Sequence, residues 1–192
     1  HVYHRFEQRV GNRQSQLLQE VKDALLTTNS RTEMRADRHV VLVPFDAVTV
    51  EVAVGFRCVD GSIVVCDSKG NGSYVTSTAL AEASDIDLSD RASNGNTRAL
   101  IRMVKCWQDN CNVNMLKSFM IERLAIAFMA RWKYRLEGTF YYDWMVRDFF
   151  AFLLSLANDG WVKMPDGVIV PLGTSWVTRA QSAYRNAASA CQ

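Results

Sequence analysis

Thr97-Arg98-Ala99-Leu100-Ile101-Arg102-Met103-Val104-Lys105-Cys106-Trp107-Gln108 is where this sequence changes its period, and that change decides the fold class. Leu100, Val104 and Trp107 share one face at helical spacing, with Lys105 beside that apolar stripe rather than within it. Everything after it keeps the helical period. Leu116 to Tyr134 aligns Ile121, Leu124, Ala125 and Phe128, Asp143 to Ala157 is a third helix rich in aromatics, and Ser175 to Cys191 is a last Ala-rich helix. Asn158-Asp159-Gly160 stops the third helix, and Val168 to Pro171 is a short extended piece.

Before it, the period is two. Val48, Val50, Val52, Val54 and Phe56 point to one side of a strand, and Thr49, Glu51, Ala53 and Gly55 to the other. With Arg38 to Phe45 upstream and Ser62 to Cys66 after the Asp60-Gly61 turn, three antiparallel strands are the economical reading. They follow an amphipathic helix within His1 to Leu26, carrying Phe6, Val10, Leu17, Val21 and Leu25, interrupted at Gly11-Asn12 and closed by Thr27 to Ser30. A Gly- and Ser-containing stretch, Asp67 to Ser77, and a polar region, Glu82 to Asn96, punctuate the chain. The order is β-rich first and helical second, an α+β chain with parts at 1–77 and 78–192.

Composition bounds the function. The chain has 192 residues, 48% of them hydrophobic, enough for one substantial core or two small ones. A net charge of +2, spread over ions of both signs, gives no footprint for duplex nucleic acid, so an anionic ligand must be caught locally. Five cysteines, Cys58, Cys66, Cys106, Cys111 and Cys191, lack paired CxxC spacing and read as free thiols of a reducing compartment. His1, His4 and His39 are not at finger-like spacing from them, which argues against zinc. No stretch approaches the roughly 20 apolar residues of a membrane span, and the start lacks a signal pattern, so a cytoplasmic protein is expected.

Three constellations carry chemistry. Glu51 is a lone carboxylate among small neighbours, suited to a metal ion or substrate, or else an exposed strand glutamate. Lys105 and Ser118, on successive helices, form a phosphate cradle if their helices are antiparallel, because an ammonium, a hydroxyl and helix-start N–H groups all favour anions. Otherwise Ser118 caps its helix and Lys105 is solvated. Phe119 lies nearly opposite the Ile121, Leu124, Phe128 stripe and either stacks on a base or joins a second buried face with Ile126. A fourth, Asn71-Gly72-Ser73-Tyr74 with Asp85-Ile86-Asp87, imitates the Gly-Ser and Asp-x-Asp pattern of phosphoryl transfer. No apolar strand continues from Asp87, so a solvated acidic loop is the favoured account.

Several of these segments resemble the bacterial cyclic-oligonucleotide synthases, nucleotidyltransferases related to cyclic GMP-AMP synthase and oligoadenylate synthase. Glu51-Val52-Ala53-Val54-Gly55-Phe56 is similar to their acid-Val-Val-Pro-Ala-Phe strand, with Val54 and Gly55 departing from it. Asn94 to Trp107 resembles their Leu-Ile-Arg-Leu-x-Lys-x-Trp helix, and Lys117-Ser118-Phe119-Met120-Ile121-Glu122 their Lys-Ser-Phe/Tyr-His-x-Glu segment, with Met120 in place of the histidine. Asp60-Gly61-Ser62, Cys66-Asp67, Asp143-Trp144 and Leu172-Gly173 to Trp176 also look familial, so the resemblance runs from about Val41 onward. In that register Asp85 and Asp87 fall after the third acid.

The resemblance implies a polymerase-β-like α+β core of antiparallel strands packed on a C-terminal helical bundle. It implies an enzyme that makes cyclic di- or oligonucleotides from nucleoside triphosphates in bacterial antiphage signalling, with effector proteins downstream. Lys105 and Ser118 would hold the triphosphate, Phe119 would stack on a base, and Glu51 would be the third carboxylate of a two-ion Mg²⁺ site. The first two carboxylates precede the helix at His1 to Thr28 in relatives and have no counterpart in this sequence, so the chain reads as the triphosphate-binding part, inactive alone. A noncatalytic nucleotide-binding or interaction module and an RNA-directed, polyadenylating-type enzyme are the alternatives.

Overall fold

The computed structural model describes residues 14–28, 32–59, 62–69, 72–111 and 115–191. It divides into two compact units, His1–Leu80 and Ala81–Gln192.

The first unit opens with helix α1, Gln14–Thr28. Leu17 and Leu18 are buried and Val21 and Leu25 half-buried, so the amphipathic face is as the spacing requires. Phe6, Val10, the Gly11-Asn12 interruption, and Asn29 and Ser30 lie outside the described residues. Six strands follow, not three. β1 (Arg35–Asp37), β2 (Val40–Pro44) and β3 (Thr49–Ala53) form one antiparallel sheet, and β4 (Gly55–Arg57), β5 (Ile63–Asp67) and β6 (Ser73–Ser77) a second.

The single strand expected over Val48 to Cys58 is therefore two. Alternation runs unbroken through it, but the partner changes at Val54, whose carbonyl accepts the Cys66 N–H at 3.0 Å while Val52 still pairs with Val41. Gly55 makes the switch sterically feasible. A Cβ there would stand 3.0 Å from the Val64 carbonyl oxygen and 3.2 Å from Ile63 Cγ2, closer than ordinary packing allows. The Gly/Ser stretch hides β6 because Ser73, Val75 and Thr76 are exposed, so its composition reads as loop although it ladders onto β5. β1 is exposed at every position and gives no periodic signal either.

Two small cores result. Leu18 packs with Met34, Val41 and Val43, Leu17 with Phe56 and Cys66, and Val54 touches both. A polar latch joins the two sheets. Arg38, in the left-handed region at φ 48° within the β1–β2 turn, reaches Asp67 at the end of β5 through Nη2 at 3.2 Å. Asp67 also accepts the Lys69 N–H at 3.0 Å, and His39 Nδ1 lies 3.0 Å from the Cys66 carbonyl oxygen. Hydrogen bonding from Arg38 holds the Asp67 carboxyl below the usual carboxylate range, while burial pushes the Cys66 thiol up.

The second unit is a helical body. α2 (Ala79–Ala92) occupies most of the stretch whose polarity suggested punctuation and an acidic loop. It buries no residue, so it carries no apolar stripe to betray it, and ion pairs hold it instead. Asp85 pairs with Arg123 at 2.5 Å, Asp87 with Arg98, and Asp90 with Arg98 at 3.2 Å. Ser89 and Ser93 each share a 2.8 Å hydroxyl contact with Thr97 at the start of α3 (Asn96–Asn110).

α4 (Ser118–Met129), α5 (Tyr142–Ser155) and α6 (Val177–Ala190) complete the unit with the hairpin β7 (Trp161–Lys163) and β8 (Ile169–Pro171). Leu100, Ile121, Leu124, Met145, Phe149 and Trp176 are among its fully buried side chains. α4 is shorter than the expected Leu116 to Tyr134. Trp132 stands four residues after Phe128 and mimics another turn, yet the helix ends at Met129. Trp132 is instead brought inward by the turn after Met129, where its indole N–H donates to Asp148 at 3.0 Å.

Among the described residues, no helix is long and apolar enough to cross a membrane.

Candidate nucleotide-binding site

Lys105 and the first turns of α4 are brought together by two polar contacts between α3 and α4. The Gln108 amide clamps the backbone of Leu116, its Nε2 donating to the carbonyl at 2.9 Å and its Oε1 accepting the N–H at 2.8 Å. Both groups are buried, so the clamp fixes the approach to α4 without competition from water. One turn earlier on α3, Lys105 Nζ donates to Glu122 Oε1 at 2.6 Å. The pair is half-buried, with side-chain exposures of 35% and 20%.

Ser118 is the first residue of α4 and is exposed. It is not the cap. Lys117 occupies that position in extended geometry, φ −67° and ψ 150°, and no side chain closes the helix start. The first N–H groups of a helix have no intrahelical acceptor, so an uncapped start presents donors and the positive end of the helix dipole. Ser118 and Glu122 are four residues apart and share one face of α4, which places the Lys105 ammonium on the face that begins with the Ser118 hydroxyl.

Phe119 meets both of its readings in part. It is half-buried and packs against the large core, while the Lys117 ammonium stands 5.9 Å from its ring centroid. One portion of the ring serves the interior and the rest remains accessible. A hollow of about 490 Å³ between α2 and α4, lined by Asp85, Leu88, Arg123, Ile126, Met129 and Arg135 among others, involves none of Lys105, Ser118 or Phe119.

Glu51 belongs to the first unit. It projects from β3 opposite Leu42 and is exposed, as are Thr49 and Ala53 on the same face. Among the described residues, no group of three His, Cys, Asp or Glu side chains could hold a metal ion. The described carboxylates therefore do not fit a two-ion Mg²⁺ centre by themselves. Asp85 and Asp87 do not supply one, because side chains two apart on α2 do not face each other and each is engaged by an arginine.

Gln108 and Glu122 are the residues whose roles the sequence reading missed. Gln108 could have been found: it continues the Leu100, Val104 row at helical spacing, and an amide in an apolar row needs buried partners. Glu122 carried no such signal, since its partner is 17 positions away.

Residues 1–90 match the family described as the Second Messenger Oligonucleotide or Dinucleotide Synthetase domain. The solved structure of the Elizabethkingia meningoseptica cyclic dinucleotide synthase CdnE with GTP and Apcpp is similar to this chain. The likeness covers 94% of this chain and 73% of that one, at 12% identity and a TM-score of 0.56. A comparison with curated protein sequences gives no match. The fold is that of a nucleotidyltransferase of this type, and the resemblance read from the sequence is borne out.

Proposed function

We propose that this chain belongs to an enzyme that joins nucleoside triphosphates into cyclic di- or oligonucleotides, with residues 1–77 as part of the nucleotidyltransferase core and 78–192 as its helical domain. The observation that carries the reading is the family match over residues 1–90. The arrangement around Lys105 supports it, since an ammonium, a hydroxyl and an uncapped helix start together suit a polyanion.

In this reading Lys105 and Ser118 bind the triphosphate and fix its orientation, which is where phosphoryl transfer gains most of its rate. Phe119 offers its accessible edge to a base, and stacking tolerates any base because each has a π-face. Glu51 is the carboxylate of this chain assigned to a divalent ion. The product would act as a signal on a separate effector protein in antiphage defence.

The test is product formation. The complete gene product and the 192-residue chain are each incubated with the four labelled nucleoside triphosphates and Mg²⁺, and products are resolved by chromatography. Cyclic products from the complete gene product are expected, with none from the 192-residue chain; no incorporation by the former would sink the reading. Incorporation by the 192-residue chain would return Asp85 and Asp87 to consideration as catalytic acids. Salt-sensitive extension of an added RNA would point to the RNA-directed class instead.

A further inference from the structure

We infer that Glu122 is a positioning residue for Lys105, holding its ammonium where a triphosphate enters; the inference rests on the nucleotide-binding reading of Lys105 and Ser118. A lysine on a four-carbon stem samples many rotamers, and one left free in solvent must be ordered each time an anion binds. Here the ammonium is already tied at 2.6 Å to a carboxylate on the neighbouring helix. That carboxylate is one turn beyond Ser118 on the same face of α4, so the tie aims Lys105 along the row that leads to the uncapped helix start.

The stoichiometry of donors allows both partners at once. An ammonium has three N–H donors, and Glu122 Oε1 takes one, leaving two for phosphate oxygens. The pair is also too sheltered to be an ordinary surface contact, with Glu122 only 20% exposed. Glu122 itself is kept in place by α4, whose buried neighbours Ile121, Leu124 and Ala125 pack into the core. The Gln108 clamp on Leu116 sets the approach to that helix. The carboxylate contributes a hydrogen-bond acceptor at a fixed point, and its charge is a cost because it repels the incoming anion. A carbonyl oxygen at the same place would keep the first effect without the second.

That distinction supplies the test. ATP binding is measured calorimetrically on the 192-residue chain and on Glu122→Ala, Glu122→Gln, Lys105→Met and the Lys105→Met/Glu122→Ala double variant. Glu122→Ala is expected to weaken binding about tenfold, the scale of one hydrogen bond to a charged group, while Glu122→Gln binds at least as tightly as the unaltered chain. In the Lys105→Met background the alanine change is expected to cost nothing further, because its effect runs through the lysine. A structural role for Glu122 would instead persist in that background and appear as a matching loss of thermal stability, which overturns the inference. So does ATP binding that is lost in Lys105→Met but indifferent to Glu122→Ala. No ATP binding by the unaltered chain overturns the nucleotide-site reading and this inference with it.

Discussion

The two units reach order by different means. The helical unit has one continuous apolar interior, in which Phe149, Met145, Leu100, Ile121 and Trp176 are fully buried and Phe149 meets Phe128 edge-on at 5.6 Å. The strand unit has two small clusters, exposed Val48, Val50 and Val75, and a polar latch from Arg38 to Asp67. Burial scales with apolar area, so the first kind of unit is held mainly by its interior, whereas the second leans on hydrogen-bonded register. The difference teaches where each can be damaged.

Phe149→Ala should give the largest effect. Removing a fully buried ring from a closed core is expected to cost about 3–5 kcal/mol, read as faster hydrogen exchange throughout α3 to α6 with the strand unit unaffected. Leu18→Ala tests the other side of the contrast. Its cluster holds only Met34, Val41 and Val43 as fully buried partners, so the loss should lie near the lower end of the usual range, about 2–3 kcal/mol, and be confined to α1 and β1 to β3. A Leu18→Ala cost equal to that of Phe149→Ala would break the contrast.

The smallest effect is electrostatic. Asp67 has a folded pKa held below its ordinary value by the Arg38 hydrogen bond, so its contribution is fully present above the unfolded carboxylate pKa of about 3.9 and is lost as pH falls through the lower, folded value. Arg38 is 54% exposed, and solvent screening keeps the contribution modest. Asp67→Asn should lower the stability of the strand unit at neutral pH and remove this acid-side slope. Thermal melts of both proteins from pH 7 down to about pH 2 measure it. A slope unchanged in Asp67→Asn would show that the latch is not what titrates.

Legibility in the sequence followed the same division. Helices with a one-sided apolar pattern, α3, α4, α5 and α6, could be read because burying one face imposes a period on the residues themselves. α2 could not, since ion pairs to Arg98 and Arg123 replace a buried stripe and charges on a solvated helix look like a loop. β1 and β6 were missed because edge strands are stabilised by backbone pairing, which leaves little trace in side-chain type. Lys105, Ser118 and Phe119 were named from their segment, yet spacing could not say that Lys117 rather than Ser118 occupies the cap.

By itself the sequence determined the α+β class, the buried faces of four helices and the segments that resemble the synthase family, because each is written in residues close together along the chain. Only the tertiary structure decided that the strand through Val54 changes sheets, that Asp85 and Asp87 sit on a helix, and that Lys105 is tied to Glu122. A local period fixes which side of an element is buried. It does not name the partner, and a hydrogen bond spanning 17 residues exists only once two helices have packed.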